Sequence, residues 1–72
     1  MQKKSRGILL FAKTYKENDL YVKIFCDSNE IISGIVYGGL SKKKRNIYQI
    51  GSFININIIT KLNRPPSISG EL

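Results

Sequence analysis

Apolar and polar side chains alternate with period two along most of this chain, the pattern of strands with one dry and one wet face. Within Leu20–Cys26, Leu20, Val22, Ile24 and Cys26 share one side, and Tyr21, Lys23 and Phe25 share the other. Within Phe53–Ile58 the isoleucines point one way and Asn55 and Asn57 the other. The stretch from about Arg6 to Tyr15 is apolar at Leu9 and Phe11 as well as at Ile8 and Leu10. That predicts either a strand buried on both sides or one long bent strand that serves two sheets in turn. Ile31 to Tyr37 alternates less cleanly, and Gly34 in its middle predicts a bulge or a sharp bend. Ser67 to Leu72 begins a fifth strand.

The connectors fit hairpins. Lys16-Glu17-Asn18-Asp19 and Asp27-Ser28-Asn29-Glu30 are polar breaks of turn composition. Residues 40–51 form a longer link, in which Asn46-Ile47-Tyr48-Gln49-Ile50 has room for one short helical turn. Pro65-Pro66 rules out regular pairing in the last loop. Three consecutive strands, a longer connector and two more strands match a five-stranded antiparallel Greek-key barrel of the oligonucleotide/oligosaccharide-binding (OB) type. An SH3-like barrel is the nearest structural rival. Closing the sheet also removes exposed edges, which in a flat isoleucine-rich sheet promote aggregation.

Composition sharpens the class. At 72 residues the chain makes one small domain, 1–72, whose core alone gives marginal stability. A single cysteine, Cys26, and the absence of histidine leave no ordinary zinc site or disulfide to reinforce it. One lone cysteine also fits a reducing, cytoplasmic setting. No apolar run approaches the roughly 20 residues that cross a bilayer as a helix. The basic start followed by Gly7–Ala12 resembles a signal peptide only superficially, since the apolar run stops at Lys13. A net charge of +7 and a pI near 9.8 point to an acidic partner. The abundance of Ile, Asn and Lys is also what an AT-rich coding sequence produces, so placement matters more than total charge.

Three groups of residues carry candidate chemistry. Lys42-Lys43-Lys44-Arg45 directly follows Gly38-Gly39-Leu40-Ser41, and like charges this close belong on a solvated surface facing either solvent or a polyanion. If the run meets about 4 phosphates of a single strand, log K falls with log salt at a slope near −3. The backbone amides of the twin glycine are a further possible phosphate contact. Tyr21 and Phe25 with Lys23 between them form the interleaving a base-stacking platform requires, and Tyr37 and Tyr15 fall nearby if the second and third strands pair. Phe25 and Tyr21 serve equally well as packing against a loop or another domain. Lys13 and Lys16 border one loop beside the binding face of such a barrel, and Lys61 and Arg64 border the other.

Catalysis finds no support. Histidine is absent, Glu17, Asp19, Asp27 and Glu30 fall in turns, and Cys26 lies on the apolar face of its strand. No catalytic residue, metal site or cofactor is expected.

The chain also resembles the N-terminal domain of RecO, the bacterial recombination mediator and annealing protein. The resemblance rests on Gly7-Ile8-Leu9-Leu10, on Lys13-Thr14-Tyr15-Lys16-Glu17-Asn18-Asp19-Leu20, on Val36-Tyr37-Gly38-Gly39 with the basic run after it, and on Tyr48-Gln49-Ile50-Gly51. It covers nearly the whole chain and implies an OB-fold barrel that helps bind single- and double-stranded DNA in recombinational repair of DNA damage. It further implies partnership with RecR and single-strand-binding protein, and a helical region continuing beyond Leu72. Tyr37 stands where the family usually has a basic residue and Leu40 where arginine is common. Lys16 and Glu30 replace turn glycines. These departures move the focus of charge into Lys42, Lys43, Lys44 and Arg45. The expected DNA-binding residues are Lys13, Tyr21, Lys23, Tyr37, Lys42, Lys43, Lys44, Arg45 and Arg64. Two alternatives stay open: an RNA-binding barrel of cold-shock type, and a protein-interaction module without nucleic-acid contact.

Overall fold

A computed structural model describes residues 2–71. Five strands, β1 (Gln2–Tyr15), β2 (Asp19–Cys26), β3 (Ile31–Val36), β4 (Phe53–Ile59) and β5 (Ser67–Glu71), close into one barrel in the order β1-β2-β3-β5-β4. All pairings are antiparallel except β3 with β5, which is parallel and consists of the single pair Ile35–Ser67. This is the OB-type barrel. Leu72, the last residue of the expected fifth strand, lies outside the described residues.

β1 is the long bent strand. Its first half pairs with β4, from Gln2–Ile59 to Ile8–Phe53, and its second half pairs with β2, from Gly7–Cys26 to Tyr15–Asp19. The two sets overlap at Gly7 and Ile8, where the strand passes from one neighbour to two. Gly7 is required there because a Cβ would collide with the Phe25 carbonyl and the Cys26 backbone. The apolar character on both sides of β1 does not reflect burial on both sides. Leu9 is buried, whereas Ile8, Leu10 and Phe11 are exposed.

The bulge expected at Gly34 is found instead in β1, where the register shifts between Leu9 and Phe11. Gly34 answers a different demand. A side chain there would come within 2.6 Å of the Pro66 carbonyl and 2.9 Å of Ile68, so glycine lets the last loop lie against β3. The Ile35 amide then donates to that same Pro66 carbonyl at 2.8 Å, reinforcing the one-pair seam.

The core follows the alternation. Leu20, Val22, Ile24 and Cys26 of β2, Ile54, Ile56 and Ile58 of β4, Leu9, Val36 and Ile68 fill the interior together with Tyr48. Tyr48 comes from the long link between β3 and β4. That link holds the short helical turn α1, but at Lys42–Arg45 and not at residues 46–50. The Arg45 amide donates to the Ser41 carbonyl at 3.0 Å and the Tyr48 amide to the Lys44 carbonyl at 3.2 Å. The helical turn therefore coincides with the basic run, and the segment after it packs Tyr48 and Ile47 onto the core.

Candidate nucleic-acid interface

The bulge in β1 sets the exterior. Across β1 and β2, Phe11 lies opposite Lys23 and Lys13 opposite Tyr21, while Ala12 and Thr14 face Val22 and Leu20 on the other side. The outer surface is thus a two-by-two checkerboard of ring and cation. One diagonal and one cross-strand pair make contact: the Phe11 and Tyr21 rings meet edge-on at 6.3 Å and 72°, and the Lys23 ammonium stands 5.8 Å from the centre of the Phe11 ring opposite it. A ring flanked by cations offers a base a stacking face next to a phosphate partner. Lys13, Tyr21 and Lys23 are brought together as the sequence predicts. Phe11 joins them unannounced, because simple alternation puts it on the side of Leu9.

The rims carry the remaining cations. Tyr37 falls just after β3, with its ring about half exposed. It lines a depression of about 200 Å³ with Ile59, Lys61, Arg64, Pro65 and Ser67. Tyr37 and Arg64, distant in sequence, thus share one hollow at the loop between β4 and β5. In the β1–β2 loop Lys16 occupies the left-handed region at φ 55°, a conformation glycine adopts without strain, and its ammonium lies 5.5 Å from the centre of the Tyr15 ring.

The basic run is divided. The Lys44 ammonium donates to the Tyr37 carbonyl at 3.1 Å, which ties α1 to the hollow. Lys42, Lys43 and Arg45 are exposed and splay around a single helical turn, about 100° apart per residue. The twin glycine does not offer free amides. Gly38, at φ 69°, donates to Asp19 Oδ1 at 2.8 Å, and Gly39 donates to the Val36 carbonyl at 3.2 Å. Asp19 is therefore more than a solvated turn residue, since it anchors the start of β2 to the turn leading to α1. A Cβ on Gly39 would come within 3.0 Å of Leu20, so this glycine serves packing.

A larger depression, of about 510 Å³, lies across β1, β4 and β5 and is lined by Lys4, Ser5, Asn55, Asn57, Ser69 and Glu71 among others. It pairs one cation with one carboxylate and holds no ring, so it lacks both the stacking surface and the charge excess of the β1–β2 face.

The family comparison fits this geometry. Residues 1–65 match the family model described as recombination protein O, N terminal. The chain belongs to that family. A RecO-type domain binds DNA as part of a recombination mediator and is not an enzyme. Among curated proteins none matches the chain significantly. Cys26 is buried and unpaired, and no group of metal-ligating side chains occurs among the described residues. No helix among them is long and apolar enough to cross a membrane.

Proposed function

We infer that this RecO-type domain binds single-stranded DNA across the outer face of β1 and β2, stacking bases on Tyr21 and Phe11 and meeting phosphates with Lys13 and Lys23. The observation that carries the reading is the cross-strand checkerboard, in which each ring faces a cation. From there the backbone of the strand passes toward the hollow of Tyr37 and Arg64 and the cations Lys42, Lys43 and Arg45 on α1, with Lys44 holding α1 in place. Duplex DNA uses the same cations without the rings. Neither contact set reads base edges, so sequence preference is slight. In this reading residues 1–72 form the N-terminal domain of a longer cytoplasmic protein that acts with RecR and single-strand-binding protein, as the family description supports.

Fluorescence anisotropy with labelled single-stranded DNA, duplex DNA and matched RNA tests the reading. Affinity of roughly 10⁻⁴ to 10⁻⁶ M is expected at physiological salt. Tyr21→Ala should weaken single-strand binding about tenfold, within the range for loss of one stacked base, and leave duplex binding nearly unchanged. Equal losses for both, or a clear preference for RNA, would overturn it.

A further inference from the structure

A second set of exterior side chains lies beside the checkerboard and outside the contacts assigned so far. Phe53 of β4 is the cross-strand partner of Ile8 of β1, Ile8 is the partner of Phe25 of β2, and Phe25 is the partner of Ile31 of β3. Four large apolar side chains on four adjacent strands therefore form one row across the barrel. They are 54%, 39%, 42% and 65% exposed in that order. An apolar band of this kind on a small domain marks a contact surface. The Arg6 guanidinium lies 5.5 Å from the centre of the Phe53 ring.

The row is continuous with the checkerboard. Phe25 follows Lys23 by two residues on the same face of β2, and Ser33, opposite Lys23, follows Ile31 by two on β3. The two carboxylates nearest the row are already matched, Asp27 by Arg6 at 3.2 Å and Glu30 by Lys3 at 4.0 Å. Among the described residues Lys23 has no ion pair, and on the other side of the row Lys4 lies in the depression that also holds Glu71. The surface is thus ringed, apolar and net positive, which suits nucleobases with their phosphates outside.

We propose that the row extends the DNA path, so that a single strand leaving the checkerboard crosses the barrel with its bases stacked on Phe25 and Phe53 and its phosphates toward Lys23, Lys4 and Arg6. This rests on the reading of the checkerboard as a stacking face. Three inter-strand steps of about 4.8 Å each give a row about 14 Å long, room for about four stacked nucleotides at about 3.4 Å each. Affinity then keeps rising with strand length beyond what the checkerboard alone holds.

The test is anisotropy on the whole chain with oligothymidylates of roughly 4, 8 and 12 nucleotides. The wild type should gain about tenfold or more between the shortest and the middle length. The double variant Phe25→Ala/Phe53→Ala should lose most of that gain while holding the shortest strand as before, whereas Tyr21→Ala weakens all lengths. Phe53→Leu keeps an apolar side chain but removes the ring face, and should lose part of the gain with the fold intact by circular dichroism. An unchanged length dependence in these variants overturns the extension and leaves the row to a protein partner. If the wild type binds the shortest strand as tightly as the longest, only the extension fails. If it binds none at low salt, the stacking face itself fails.

Discussion

The Tyr48 hydroxyl accepts a hydrogen bond from the Gly70 amide at 2.7 Å. This joins the link that carries the basic turn to the strand at the weakest seam of the barrel. The ring fits because Gly70 has no side chain: a Cβ there would come within 3.2 Å of the ring. Since β3 and β5 share one pair, the buried phenol adds a contact to β5 beyond its ladder with β4.

Tyr48→Phe should lower unfolding free energy by about 1–2 kcal/mol, the cost of leaving a partly buried amide without its acceptor. A urea melt reads this as a lower midpoint at unchanged slope. Desolvation by burial raises the phenol above its ordinary value of 10.0, with the Gly70 amide partly opposing. A raised folded value means the contribution is intact below about pH 10 and is lost as pH climbs toward the folded value, because the unfolded chain ionises first. The stability gap between wild type and Tyr48→Phe should therefore shrink above pH 10. A gap that widens there would contradict the assignment.

Lys16→Gly should stabilise the domain by about 1 kcal/mol. A non-glycine residue in the left-handed region costs about 1–2 kcal/mol, and glycine gives part of that back as extra freedom in the unfolded chain. The same melt checks the sign.

Gly34→Ala should destabilise by about 1–3 kcal/mol or more, the range for overpacking, because the new methyl meets the Pro66 carbonyl and Ile68. Faster amide exchange at Ile35, whose N–H bonds to Pro66, would locate the damage at the β3–β5 seam. Exchange lost evenly over the barrel would argue against a local effect.

Asp19→Ala removes the acceptor of the Gly38 amide and should cost about 1.5–3 kcal/mol, as for a hydrogen bond to a charged group. Asp19→Asn keeps an acceptor oxygen and should recover much of the loss.

Five strands, the inward sets of β2 and β4, and the closed order were legible because alternation and turn residues both report on one wet face. What escaped was whatever depends on a register shift or a long-range contact. The bulge beside Leu10 moves Phe11 from the side of Leu9 to the outer face, and no residue type marks it. Gly34 looked like a bend but answers to the Pro66 loop, 32 positions on. The sequence leaves room for a helical turn at Asn46–Ile50, yet the turn forms on Lys42–Arg45, where Ser41 opens it and burial of Tyr48 holds its end. The four cations read as equivalent in sequence, and only the contact from Lys44 to Tyr37 separates one from three.

That separation gives the most direct test of the electrostatic part of the central claim, that a strand held on the β1–β2 face runs its backbone past the charge of α1. Binding of single-stranded DNA is measured across a salt series for wild type, the triple variant Lys42→Gln/Lys43→Gln/Arg45→Gln, and Lys44→Gln. Three phosphate contacts on a single strand are worth a slope of about 2 in log K against log salt. The triple variant should flatten the slope by up to about that amount, with a far smaller change for Lys44→Gln. A slope unchanged in the triple variant would contradict the account.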